Sequence, residues 1–213
     1  MNHNVTIVDY GVGNLLSVAR AFEHVGGKVV VTSDASIIEA ADRLVLPGVG
    51  AFGHGMKELC DRGHIDAIQN FASTLRPFLG ICLGMQMMMD VSQEFGRCEG
   101  LGLIAGEVMP VPLIGSDGTE HKIPHIGWSE LLRTEGQSWQ STLIEDIEPG
   151  DWMYFVHSYA ASPTRPENII SHCDYNGLSL TAVIQSGFHF GVQFHPEKSG
   201  AGGLKILKKF IEL

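Results

Sequence analysis

Long apolar runs are missing from this chain. No stretch reaches the 18 or so consecutive apolar residues of a membrane-spanning helix. The opening Met1-Asn2-His3-Asn4-Val5-Thr6-Ile7-Val8-Asp9 lacks the basic segment and apolar core of a secretory leader. A cytoplasmic protein outside any membrane is the expectation. Positive charge is also scarce. Fourteen Lys and Arg against 24 Asp and Glu leave a formal net charge of −10, which argues against wrapping nucleic acid or resting on anionic lipid. Cysteine is sparse, and Cys60, Cys82, Cys98 and Cys173 include no C-x-x-C pair. That gives no sign of a zinc ribbon or a thioredoxin-type motif, and free thiols in a reducing compartment are the simple reading. His121 and His125 have no partner at metal-ligand spacing, so no metal and no cofactor is assigned. Repeats and low-complexity linkers are absent too. What remains is 213 residues with 44% hydrophobic content, enough for a full core and consistent with a single domain over 1–213.

The first 90 residues alternate short apolar runs with helical periodicity. Val5 to Val8, Lys28 to Thr32, Leu44 to Leu46 and Pro77 to Ile81 read as strands. Between them, Leu15, Val18, Ala19, Phe22 and Val25 keep a 3.6-residue period after a capping Asn14. Met56 to Phe71 predicts helix, broken near Gly63, and Met85 to Met89 predicts another. Such alternation implies βαβ units. The second half reads as strands at Leu101 to Ala105, Ile123 to Leu132, Trp152 to Tyr159, Asn168 to Cys173, Thr181 to Gln185 and Phe188 to Phe194. Ser186-Gly187 is a hairpin candidate, and an amphipathic helix carries Leu204, Leu207, Phe210 and Ile211. The expected fold is α/β: a mainly parallel central sheet flanked by helices on both faces, with a partly antiparallel C-terminal extension.

Within this frame Gly80-Ile81-Cys82-Leu83-Gly84 stands at a strand-to-helix junction. Glycines two residues either side of a nucleophile permit the sharp turn of a nucleophile elbow. There the first amides of the next helix face the same spot as the side chain, favouring a thiolate and an oxyanion. Alone, the pentapeptide fits a buried structural cysteine equally well. A thiol nucleophile needs a base and a group to orient that base. His195 and Glu197 in Val192-Gln193-Phe194-His195-Pro196-Glu197 stand two apart, on one side of an extended backbone just past a strand.

Pro47-Gly48-Val49-Gly50-Ala51-Phe52-Gly53 contains a formal G-x-G-x-x-G, so dinucleotide binding is a rival. A proline before the first glycine, an inner position in the chain, and a following strand that ends at Cys82 rather than at an acidic residue all weaken it. Beside an elbow, the same turn would lend a second N–H to an oxyanion. His157 reads either as a substrate contact or as a satisfied half-buried histidine. Gln86 faces the site from the first helical turn, and Glu94, beyond the helix end, is a candidate for binding an ammonium group or a solvated glutamate.

These residues carry a resemblance. Gly80-Ile81-Cys82-Leu83-Gly84-Met85-Gln86 resembles the nucleophile motif of class I, triad-type glutamine amidotransferases, and Gln193-Phe194-His195-Pro196-Glu197 resembles their His/Glu motif. Leu46-Pro47-Gly48-Val49-Gly50, Pro124-His125-Ile126-Gly127-Trp128 and Tyr154-Phe155-Val156-His157-Ser158-Tyr159 are similar to the branch that forms the glutaminase subunits of imidazole glycerol phosphate synthases. The match runs from the Asp9-Tyr10-Gly11-Val12-Gly13-Asn14 turn to Gly200. The resemblance implies Cys82 as nucleophile, His195 as general base and acid, and Glu197 as orienting carboxylate. It implies oxyanion N–H groups from Leu83 and the Gly48-Val49-Gly50 turn, with Gln86, Glu94, Ser158 and Tyr159 around the substrate glutamine. Trp128 and Tyr154 would meet a (β/α)8 synthase partner in a heterodimer. One position departs: asparagine usually follows Gly-Trp in that branch, and here it is Ser129. Related amidotransferases feed ammonia to other pathways, such as surface-sugar synthesis. A free-standing cysteine hydrolase and a non-catalytic binding module are the further rivals.

Overall fold

The computed structural model describes residues 3–213; Met1 and Asn2, the start of the segment read above for a leader, lie outside the described residues. An eight-stranded sheet organises the chain. Its spatial order is Lys28–Thr32, Asn4–Val8, Leu44–Gly48, Phe78–Cys82, His189–Val192, Leu178–Ser186, Ile169–Tyr175 and Leu132–Arg133. The first five are mutually parallel and the last three continue antiparallel, as the sequence predicts. Leu44–Gly48 and Phe78–Cys82 are buried at every residue, which is why they read as unbroken apolar runs rather than alternating ones.

Side chains leave the two faces of the sheet alternately. Val45, Leu79 and Ile81 join a core built with the helices Leu15–His24 and Gly200–Glu212. Leu44, Leu46 and Phe78 join a second core with Ala35–Glu39, Phe52–Asp61 and His64–Ala72. Helices thus cover both faces. The Asn14 side chain accepts from the Ser17 amide at the start of its helix, and Gly63, in the left-handed region at φ 69°, separates the two helices that the periodicity joined. Leu178–Ser186 and His189–Val192 form the expected hairpin, pairing Ser186 with His189 across Gly187.

Among the expectations that change, two shape the surroundings of Cys82. The helix after the elbow spans only Leu83–Met87, and Met89–Ser92 is a strand. The carbonyls a longer helix would use are taken instead: Leu101 N–H donates to Met87, Leu103 and Ile104 to Met88, and Gly102 to Met89. Tertiary pairing here overrides local helix propensity. Glu94 therefore follows a strand, not a helix. The apolar run from Trp152 to Tyr159 is also two strands. Trp152–His157 pairs antiparallel with His125–Glu130 in a separate ribbon. Tyr159–Pro163 joins a four-stranded sheet with Ile104–Pro110, Met89–Ser92 and Cys98–Glu99. Ser158, at the break, gives its carbonyl to Val111 N–H. Among the described residues no helix is long and apolar enough to cross a membrane.

Candidate active site

Cys82 ends its strand at φ 54°, ψ −110°, a conformation that costs a residue with a Cβ on the order of 1–3 kcal/mol. The flanking glycines are required sterically. A Cβ on Gly84 would lie 1.7 Å from the Leu46 carbonyl oxygen, and one on Gly80 would lie 2.7 Å from the Met85 backbone nitrogen. The G-x-C-x-G pattern is thus the sequence imprint of a tight turn squeezed between a neighbouring strand and the next helix.

Parallel register sets Gly48 opposite Cys82, which brings the Pro47-Gly48-Val49-Gly50 turn beside the thiol. Gly48 has no room for a side chain, since a Cβ would meet the Tyr10 hydroxyl at 2.4 Å. That hydroxyl donates to the Pro47 carbonyl at 2.8 Å. A cavity of about 370 Å³ opens over Cys82, lined among others by Val49, Gly50, Leu83, Gln86, Glu94, Ser158 and Tyr159. The residues expected around a substrate therefore converge on one space. Glu94 also accepts from the Phe52 backbone N–H, the first of a helix whose N-cap, Ala51, has no side-chain cap of its own.

His195 and Glu197 do not line the cavity; both are buried. His195 Nδ1 bonds Glu197 Oε1 at 2.8 Å, although Pro196–Lys198 is a turn of 3-10 helix rather than the extended segment expected. Nε2 makes no hydrogen bond, yet Cys82 is close enough to act on its proton affinity. Burial disfavours the imidazolium, but the Cys82 and Glu197 interactions outweigh it, and the pKa is pushed up to about 9. The upward shift belongs to the form in which the neighbouring sulfur is a thiolate. That is the arrangement of an imidazolium–thiolate pair.

The ribbon is tied to this histidine through a residue that sequence reading passed over. Ser199 Oγ donates to the His195 carbonyl at 2.6 Å and accepts from Tyr154 N–H at 3.0 Å, while His195 N–H donates to the Tyr154 carbonyl. On the outward face of the ribbon, Trp128 stands opposite Tyr154, with ring centroids 6.0 Å apart. Trp128, Trp152 and Ile126 are all at least half exposed there.

Ser129 lies on the inward face. Its hydroxyl is 2.9 Å from His125 Nε2, and His125 Nδ1 is 3.1 Å from His157 Nε2. His157 Nδ1 is 2.9 Å from the Tyr159 carbonyl. A carbonyl only accepts, so His157 Nδ1 donates to it; with both imidazoles neutral, His125 Nδ1 then donates to His157 Nε2 and Ser129 donates to His125 Nε2. Burial above all holds each imidazole at about 4, with nearby histidine charge adding to the effect. His157 is thus a buried, satisfied residue that also lines the cavity. The unfolded chain binds protons at these positions below its ordinary histidine range of about 6.5, and the folded chain does not. Their contribution to stability is therefore complete above that range and is lost as pH falls toward 4. The melting temperature should drop between about pH 6.5 and 4, and drop less steeply in a His157→Gln variant; equal slopes in the two proteins would contradict the assignment.

Comparison with known proteins follows the same lines. The family model for glutamine amidotransferase class-I matches residues 6–213. The chain belongs to the class-I glutamine amidotransferase family. Within that family it is similar to imidazole glycerol phosphate synthase subunit HisH 1 of Legionella pneumophila strain Lens, 53% identical over 211 residues and 99% of both chains. It is also similar to the HisH subunit of Methanothermobacter thermautotrophicus, 44% identical over 98% of both. Among solved structures, PurLQS from Thermotoga maritima aligns with a TM-score of 0.68 at 19% identity, covering 100% of this chain and 99% of that one; that likeness concerns the fold alone.

Proposed function

We propose that this chain, as one amidotransferase domain over 1–213, is the glutaminase subunit of an imidazole glycerol phosphate synthase of histidine biosynthesis. The observation that carries the chemistry is Cys82 at a strained elbow, with the His195–Glu197 pair buried beside it and a cavity above it. The Cys82 thiolate attacks the side-chain amide carbon of glutamine. Backbone N–H groups of Leu83 and of the Gly48-Val49-Gly50 turn hold the tetrahedral oxyanion. His195 gives its proton to the departing ammonia and then takes one from the water that hydrolyses the γ-glutamyl thioester. Glu197 orients the imidazole. Gln86, Glu94, Ser158 and Tyr159 hold the substrate.

Ammonia is a nucleophile only while neutral, and water near neutral pH would convert it to ammonium. That favours a cytoplasmic heterodimer in which a (β/α)8 synthase covers the exit and uses the ammonia to make imidazole glycerol phosphate and an aminoimidazole carboxamide ribonucleotide. The exposed Trp128 and Tyr154 face suits such a partner. Ser129 bears little on it, because its side chain turns inward to His125.

The ribbon's hydrogen bonds to the His195 segment support control of the site by docking. The Pro47-Gly48-Val49-Gly50 turn is the second element within reach, since its glycines permit a peptide flip that a Cβ would resist. Steady-state glutamine hydrolysis should be slow for the chain alone and rise by about 10²–10³ in kcat with the synthase and its nucleotide ligand, the worth of one oxyanion donor. Equal rates in all conditions would favour a free-standing hydrolase. Stimulation only by a sugar-modifying partner would move the chain to another pathway.

A further inference from the structure

Gln193 is fully buried and carries a carboxamide that the chemistry above does not use. Its Nε2 lies 3.7 Å from Cys82 Sγ, and its Oε1 lies 3.0 Å from Gln86 Nε2. Which end of an amide faces which neighbour is settled by the network around it. Here the network starts from a backbone atom that has no choice. The Tyr159 carbonyl accepts from Gln86 Nε2 at 2.8 Å and from His157 Nδ1 at 2.9 Å, which occupies both its lone pairs. Gln86 must therefore present its NH₂ group to Tyr159, and the same nitrogen meets Gln193. Two NH₂ groups cannot bond each other, so Gln193 turns its oxygen to Gln86. That leaves its N–H for the sulfur.

We propose that Gln193 is a thiolate-holding residue of this glutaminase site: an N–H donor to Cys82 Sγ, locked in that orientation by Gln86 and the Tyr159 carbonyl. The sulfur also lies 3.9 Å from the Val156 carbonyl, which can accept only from the protonated thiol. Thiol and thiolate thus each have a partner, and Gln193 serves the charged form. Hydrogen bonds to charged groups are the stronger kind, so the donor shifts the balance toward thiolate before attack and after each thioester is hydrolysed. The titratable groups that face the sulfur are His195 with Glu197 behind it and Tyr10 under the turn; His157 and Glu94 stand across the cavity. None of them lies between Gln193 and Sγ. The inference rests on Cys82 being the nucleophile, and its test separates the two.

The full chain is alkylated with iodoacetamide across a pH series, and modification of the Cys82 peptide is followed by mass spectrometry. Exposed Cys60 serves as the internal reference. In Gln193→Met, of similar length but without a donor, Cys82 labelling near pH 6.5 should fall about tenfold and its midpoint should rise by about one pH unit, with Cys60 unmoved. Gln193→Glu should shift it further the same way, because a carboxylate offers the sulfur no donor and a like charge. Gln86→Leu, which never touches the sulfur, should give a smaller shift in the same direction by freeing the Gln193 amide to turn. Should Gln193→Met fail to fold, the other two variants carry the same reading. Profiles that coincide with that of the unsubstituted chain would overturn the proposal. An unsubstituted chain whose Cys82 is no more reactive than Cys60 would overturn the nucleophile assignment and this inference with it.

Discussion

Cys82→Ala should lose glutamine hydrolysis by about 10⁴-fold or more, the scale seen when a covalent nucleophile is removed from an intact unit. No other thiol can replace it. Cys60 lies on the exposed side of the helix Phe52–Asp61. Cys98 sits in a short strand, where burial and then Glu99 raise its pKa. Cys173 is sealed in the antiparallel extension, its pKa pushed up to about 12 by burial first and Asp174 second. Both shifts work against the thiolate, which is the nucleophilic form. The substitution should leave the fold intact, because alanine fills part of the same space and the turn is held by Gly80 and Gly84. Loss of turnover with an unchanged melting curve is the expected pair of results. Turnover within tenfold of the unsubstituted protein would remove Cys82 from the chemistry.

His195→Ala should cost about 10⁴-fold in thioester formation, the upper range for a positioned acid–base group. Glu197→Gln should be roughly a hundredfold milder, following the unequal weights of base and orienting carboxylate in such units. The geometry explains the gap. His195 Nε2 is the nitrogen left without a hydrogen bond, free to exchange a proton with the sulfur and the leaving group. Glu197 reaches only Nδ1. The two variants also differ in pH dependence. The raised pKa of about 9 rests on Cys82 and Glu197 together outweighing burial. Activity that needs the imidazolium is present below that value and lost above it. Glu197→Gln removes one of the two supports, so the alkaline limb of its profile should move to lower pH. Near-normal activity in His195→Ala, or an alkaline limb that Glu197→Gln does not move, would contradict these roles.

How much of this was legible depended on how local the cause was. The elbow could be read because its pattern is local: Gly80 is required by Met85 of the same motif, and Gly84, although its clash is with Leu46 of the neighbouring strand, keeps a fixed spacing from Cys82. The His195–Glu197 bond could be read because two residues carry it. The Gly48 turn was ambiguous by motif, and only the strand register opposite Cys82 removes the ambiguity. What stayed hidden came from distant partners. The helix after the elbow ends at Met87 because Leu101 to Ile104 claim the Met87, Met88 and Met89 carbonyls. The run through Ser158 breaks because its halves pair with different strands. Glu94 touches the Phe52 amide 42 residues away in sequence, and Gln193 touches Cys82 across 111. No periodicity encodes such contacts, although an amide alternating with His195 on a buried strand end is the trace Gln193 leaves.

The central claim is that Cys82 opens glutamine as a thioester, and active-site labelling tests it most directly. The chain, assembled with its synthase and the nucleotide ligand, is treated with a glutamine-analogue electrophile and analysed by peptide mass spectrometry, with and without excess glutamine. The account predicts one adduct per chain, on Cys82, suppressed by glutamine and lost in step with hydrolytic activity. Adducts spread over Cys60, Cys98 and Cys173, or a Cys82 adduct that leaves hydrolysis intact, would contradict it.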